Sequence, residues 1–286
     1  MFLILFLILC KGQMYEIFLS LHNHKFRLMT IVTLTSDWSK GDYYTGALKG
    51  MLLSLDGGIE VVEISKSITP FDVLQEVFIL KNTYRFFPVG SIHLMGVMSE
   101  PSPDVDMIVV YSDGHYFIGV NDGRFSLLLD SVPAIAFSIV EDIVRNSFSS
   151  LGLFVKGVKT IMGNSFNENT VAAEVKIETS PQLVYSEESI TGRVVYIDSF
   201  GNAITNIEKT LFDKIHRGRN FTIFVAGPYS KIRKISSSYF SHDPGEIFAL
   251  FNSLGLLEIA VYQGNIAVLE NIDTSTEIKI RFENSY

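Results

Sequence analysis

From Met29 to about residue 165, short β-branched runs alternate with stretches whose apolar residues recur at helical spacing. Ile31 to Thr35 reads as a buried strand, and Ala47, Leu48, Met51 and Leu52 then fall on one helical face. Ile59 to Ile64 is a second strand, and Thr69-Pro70-Phe71-Asp72 opens a helix with Val73, Val77, Phe78 and Leu80 on its stripe. Ser91 to Met98 and Met107 to Tyr111 supply strands around a polar, proline-bearing loop, and Tyr116 to Gly119 leads into the turn Asn121-Asp122-Gly123. This rhythm predicts an α/β domain with a mainly parallel sheet covered by helices. Between Asn164 and Glu188 the periodicity weakens and polar residues cluster, as in a connection between domains. From Ile190 the pattern becomes short strands at Gly192–Ile197, Asn220–Val225, Ile247–Phe251, Leu256–Val261 and Glu277–Phe282, which predicts an antiparallel all-β domain. The expected division is an N-terminal α/β domain over 29–170, a linker over 171–189 and a C-terminal β domain over 190–286.

Composition narrows the class of partner. A net charge of -8 argues against a phosphate-backbone ligand, so no nucleic acid is expected. The lone Cys10 leaves no intramolecular disulfide or cysteine metal site, which fits a cytoplasmic location. The opening run MFLILFLILC is too short to span a bilayer, lacks a basic flank and precedes no small-residue cleavage site, so no membrane association is expected. His93 lies inside an apolar strand and reads as a hydrogen-bonded core residue. His115, His216 and His242 stand apart in expected loops without metal-ligand spacing, and no metal is expected.

Two stretches carry candidate chemistry. Asp37 follows the first strand, and Asp42 ends the turn Ser39-Lys40-Gly41-Asp42 before the first helix, at the edge where α/β sheets receive ligands. By position alone Asp37 could simply close a turn and Asp42 cap the helix. In the second half, Val194–Ile197 runs into Asp198-Ser199-Phe200-Gly201-Asn202, which on its own reads as a hairpin turn.

Both stretches, with a third, resemble the S-adenosylmethionine hydrolases (SAM hydroxide adenosyltransferases) and their fluorinase and chlorinase relatives. MTIVTLTSDWSKGDYYTGALKG at 29–50 resembles the family's opening strand, Asp-aromatic turn, second Asp and Lys-Gly. VVYIDSFGNAITNI at 194–207 is similar to its Asp-x-Phe-Gly-Asn-x-x-Thr-Asn-Ile motif, and Gly245–Val261 to its G-E-x-x-A-L-x-x-S-x-G-x-L-E-I-A-V segment. The resemblance runs from Met29 to about Phe282, leaving residues 1–28 as an extension. It implies S-adenosylmethionine as substrate and no cofactor. Asp37 would hold the ribose hydroxyls and Asp42 would lie near the methionine end. Asp198 would take the α-ammonium, Phe200 would pack on the ligand, Asn202 would reach the adenine edge and Ser253 would bind the carboxylate end. It also implies a homotrimer with sites between the first domain of one subunit and the second domain of its neighbour.

The chain departs from the family where the hydrolases keep an Asp, an Arg and a His that orient the attacking water. Alignment puts Ser99, Asp106 and Ser149 at those catalytic positions, and Leu151 and Gly152 replace a following Arg-Asp. Tyr262 replaces a usual Asn. The halogenases carry a Tyr where Ser99 stands, although Ser150 falls at the serine of the fluorinase halide pocket. The expected reaction is displacement at the 5′ carbon by water, giving adenosine and methionine. A binding protein that has lost catalysis and a halide-dependent adenosyl transferase are the alternatives.

Overall fold

The structure, a computed structural model, describes residues 29–38, 42–65, 67–129, 131, 135–139, 148–165, 170–179, 182–227 and 229–283. The 1–28 extension and the turn residues Ser39, Lys40 and Gly41 lie outside them.

The first half is a seven-stranded sheet between two helical layers. Its strands are β1 (Thr30–Thr35), β2 (Ile59–Ser65), β3 (Ile92–Met95), β4 (Met107–Ser112), β5 (His115–Val120), β6 (Ile135–Ile139) and β7 (Thr170–Ala172), in the order β2-β1-β3-β5-β4-β6-β7. Helices α1 (Tyr44–Leu55) and α4 (Ser150–Gly163) cover one face, where Leu48, Leu52, Phe154 and Val158 pack on Val32, Leu34, Ile92 and Leu94. Helix α2 (Val73–Lys81) covers the other through Val77 and Leu80, which meet Met95, Val110 and Phe117. Each fully buried Leu or Val of these layers contributes roughly 1.5–3 kcal/mol. The expected bend at Asn121–Gly123 follows β5 and leads into a short helix, α3 (Arg124–Leu128), that the sequence pattern did not announce.

The sheet is mixed rather than mainly parallel. Only the β1–β2, β1–β3 and β3–β5 pairs are parallel, and β4–β5, β4–β6 and β6–β7 are antiparallel. The cause is local. Ser112 pairs with His115 across Asp113-Gly114, whose φ values of 51° and 81° make a tight hairpin turn and send the chain straight back.

The second half holds β8 (Val184–Tyr185), β9 (Ser189–Ile197), β10 (Ala203–Glu208), β11 (Phe221–Val225), β12 (Ser230–Ile232), β13 (Ile235–Ser236), β14 (Ile247–Phe251), β15 (Leu256–Val261) and β16 (Glu277–Phe282). They run in the order β12-β11-β16-β9-β10-β15-β14-β13, with β8 against β9. This half is neither wholly antiparallel nor all-β. β13 pairs parallel with β14, and helices α5 (Lys209–His216) and α6 (Ile266–Leu269) interrupt the strands. The parallel pair arises because the chain makes a single turn of 3-10 helix (Tyr239–Ser241) and a loop between β13 and β14 instead of a hairpin. β12 also touches β14, so the sheet curls toward its own far edge around a core of Ile190, Val194, Ile223, Ile259, Ile278 and Ile280. β7 and β8 lie at the two ends of the polar connection and join the first and second sheet respectively.

The halves meet where Phe78 of α2 stacks on Tyr196 of β9, with ring centroids 4.6 Å apart and planes within 13°. Beside this contact lies a cavity of about 410 Å³ lined by Leu74, Phe78, Lys81, Val194, Asn206 and Leu256, among others.

Candidate functional site

Asp37 follows β1 at the carboxyl edge of the parallel strands, where three loops converge. The ends of β1 and β3 are pressed together: Gly96 N donates to Thr35 O at 2.7 Å, and a Cβ on Gly96 would lie 2.7 Å from that of Ser36. Asp37 Oδ2 accepts the Phe71 amide at 2.9 Å, tying this loop to the entrance of α2. Phe71 adopts a left-handed φ of 70° to make that bond. Trp38 turns inward against Phe148, Tyr44 and Phe154, so the wall behind Asp37 is aromatic. Asp42 is exposed one residue before the helix N-cap, which is Tyr43 with no side-chain cap bond.

The β3 loop and the start of α4 form one cluster. Ser99 is buried, and its hydroxyl lies 3.0 Å from that of Ser150. Glu100 accepts the amides of Ser149 and Ser150, one on each oxygen, both at 2.9 Å. An acid there satisfies amides that the helix leaves without partners and meets the positive end of its dipole. Ser99 and Ser149 are therefore brought together. Asp106 is not with them: it is exposed at the start of β4, two strands along the sheet edge, and accepts Ser138 Oγ at 3.1 Å.

The second acidic loop is built on itself. Asp198 Oδ1 accepts the amides of Phe200 and Asn202, and Oδ2 accepts Asn202 Nδ2, all at 2.9 Å. Gly201 has φ 82° and leaves no room for a side chain, since its Cβ would fall 2.1 Å from Asn265. Asn265 in turn caps α6 through Val268 N, and Gly201 O accepts Ala267 N. Asn202 is buried, whereas Phe200 is 75% exposed. Ser253 sits in the exposed turn between β14 and β15, and its neighbour Asn252 shapes that turn by accepting the amides of Leu254 and Leu256.

Strand register adds residues that the sequence reading passed over. Tyr196, Ile204, Glu258 and Leu250 lie in one row across β9, β10, β15 and β14. The buried Glu258 accepts the Tyr239 hydroxyl on one oxygen and Asn252 Nδ2 on the other. Burial, then Glu258 and Asp198, push the Tyr239 hydroxyl well above its ordinary range, so it stays a neutral donor. In the first half, Glu76 and Arg124 are both buried and paired at 2.8 Å beneath the β3 loop. Burial pushes the Glu76 carboxyl up while Arg124 and the Val97 amide pull it back, and those contacts fit the ionised pair. A signal existed: Glu76 falls on the same helical stripe as Val73, Val77 and Leu80, where an acid demands a partner.

His93 behaves as expected, fully buried with Nδ1 at 2.7 Å from Thr33 Oγ1 and Nε2 at 3.2 Å from His115 Nδ1. His115 is not in a loop but buried in β5. Among the described residues no group of three or more His, Cys, Asp or Glu side chains could hold a metal, and no helix is long and apolar enough to cross a membrane.

Comparison with known proteins covers nearly the whole described chain. The family models for the SAM hydroxide adenosyltransferase N-terminal and C-terminal domains match residues 32–168 and 192–279. A curated relative, the (R)-S-adenosyl-L-methionine hydrolase of Methanocaldococcus jannaschii, is 26% identical over 271 residues, covering 88% of this chain and 96% of that protein. Among solved structures, an uncharacterized conserved protein from Thermotoga maritima superposes with a TM-score of 0.76 at 21% identity, over 87% of this chain and 99% of that one. A conserved hypothetical protein from Thermus thermophilus does so with a TM-score of 0.68 at 21% identity, over 89% and 100%. These two establish likeness of fold.

Proposed function

Because this chain belongs to the SAM hydroxide adenosyltransferase family, we propose that it cleaves S-adenosylmethionine with water, giving adenosine and methionine. A water oxygen forms a bond to the 5′ carbon as the carbon–sulfur bond breaks, the bonding pair stays on sulfur, and the water proton leaves to solvent. The leaving group is a neutral thioether, so no acid has to protonate it. Alignment and desolvation of the nucleophile carry the rate.

The observation that carries the choice of nucleophile is Glu100. Its carboxylate holds the two amides at the start of α4, beside the Ser99–Ser150 hydroxyl pair. An anion entering there would meet a carboxylate already in the favourable position and be repelled by it. A neutral water, bonded to serine hydroxyls, meets no such cost. This favours hydrolysis over halide transfer. In this reading Ser99 and Ser149 lie beside the water, Asp106 stands too far along the edge to touch it, and Asp37, Asp42, Asp198, Phe200, Asn202 and Ser253 bind the substrate.

We assign those binding residues to a site shared between subunits of a homotrimer in the cytoplasm. The support is their division between the β1–α1 loop of the first half and the β9–β10 and β14–β15 loops of the second, with an exposed aromatic on each side, Phe71 beside Asp37 and Phe200 beside Asn202. Chromatography of products after incubating the pure protein with S-adenosylmethionine, with and without chloride, tests the reaction. Equal adenosine and methionine, unaffected by chloride, is expected. A 5′-chloro nucleoside would establish halide transfer, and unreacted substrate with measurable binding would establish a binding protein.

A further inference from the structure

Arg124 directs every donor it has at its neighbours around the turn after β3. Nε and one Nη2 proton go to the two oxygens of Asp122, at 2.9 and 2.7 Å. One Nη1 proton goes to Glu76 Oε2 and the other to Val97 O, both at 2.8 Å, and Nη2 reaches Met98 O at 3.4 Å. Glu76 completes the grip by accepting the Val97 amide at 2.9 Å. The Val97 main chain is thus held by its carbonyl to Arg124 and by its amide to Glu76. Met98, next in sequence, is bent to φ 45°, and Ser99 follows.

Stability does not account for this arrangement. Burying an ion pair costs several kcal/mol per charge, and apolar pairs of similar volume are often as stable or more so. What an apolar pair cannot do is fix both the amide and the carbonyl of one residue. We infer that Arg124, with Glu76, is a positioning residue that sets the Val97–Ser99 turn and through it the place of the Ser99 hydroxyl against Ser150. Arg124 touches no substrate: its side chain is fully enclosed, between α2, α3 and the turn. The inference rests on the hydrolase reading for the role of the turn, and on the contacts alone for the holding of it.

The test uses the full chain, with Arg124→Lys, Glu76→Gln and the double variant Glu76→Met/Arg124→Met. Hydrogen exchange of the Val97, Met98 and Ser99 amides without substrate reads the turn, and initial rates with S-adenosylmethionine read its consequence. The double variant is expected to keep a cooperative melt, to exchange those amides at least about 10-fold faster, and to lose roughly 10- to 100-fold in kcat with KM changed less than about threefold. Arg124→Lys keeps the charge but not the five-donor fork, and should fall between. Unchanged exchange in all three variants overturns the holding role. Faster exchange with unchanged kcat, or equal losses in kcat and 1/KM, overturns the positioning role. Should the wild-type chain cleave nothing, the hydrolase reading and the positioning role fall together, while the exchange result still decides whether Arg124 holds the turn.

Discussion

His93 stays neutral inside the first sheet because burial, and then neighbouring His115, lower its pKa to about 3. Below about pH 6.5 the unfolded chain takes up a proton there that the folded chain refuses, so folding stability falls as pH falls from 6.5 toward 3. The loss should reach about 2 kcal/mol by pH 5 and be reduced in His93→Gln, as read from urea midpoints at pH 7 and pH 5. His115, lowered mainly by burial, adds to the same trend. Asp198 is a residue of the other kind, doubly used. Its oxygens already hold the turn through Phe200 and Asn202, and under the proposed function they would also meet the substrate ammonium. Asp198→Ala is expected to weaken S-adenosylmethionine binding by about 2–4 kcal/mol in calorimetry, because a desolvated cation is left unpaired. Unchanged affinity would remove Asp198 from the site.

The loop between β9 and β10 depends on one residue without a side chain. Gly201→Ala forces a methyl group toward Asn265 at a backbone angle that favours glycine, so the turn must shift and uncouple α6. We expect a loss of about 1–3 kcal/mol in chemical denaturation, together with loss of ligand binding. A variant as stable as the parent and still binding would show that the turn's shape is not needed. Much at this scale was legible: β14, β15 and β16 span the ranges expected of them, the first two as apolar runs buried on both faces between turns, and β16 as an alternating strand with one face in the core. The mixed sheet was written in Asp113-Gly114, a hairpin pair flanked by apolar runs, but the β-α rhythm around it drew the reading toward parallel strands. Helix α5 has a helical pattern in only eight residues, too few to stand out against neighbouring strands. Glu100 could not have been read as a clasp, since its partners lie about fifty positions on and nothing local marks the pairing.

For the whole molecule, the question is which two loops close on one substrate. If sites are shared between subunits, Asp37→Ala and Asp198→Ala chains, each unable to bind, should regain some intact sites when unfolded and refolded together; no recovery despite demonstrated mixing would put each site within one chain. Whichever holds, the contact between Phe78 and Tyr196 sets how one chain presents its two loops. Helix α2 begins beside the amide that holds Asp37 and, about a turn and a half on, leans on the strand that ends just before Asp198. It works as a strut pinned at both ends, so a tilt at either end is felt at the other. Across relatives of this chain, loss of the ring at one of these two positions should therefore be accompanied by change at the other, a signature of shared inheritance readable in their sequences before any of them is purified.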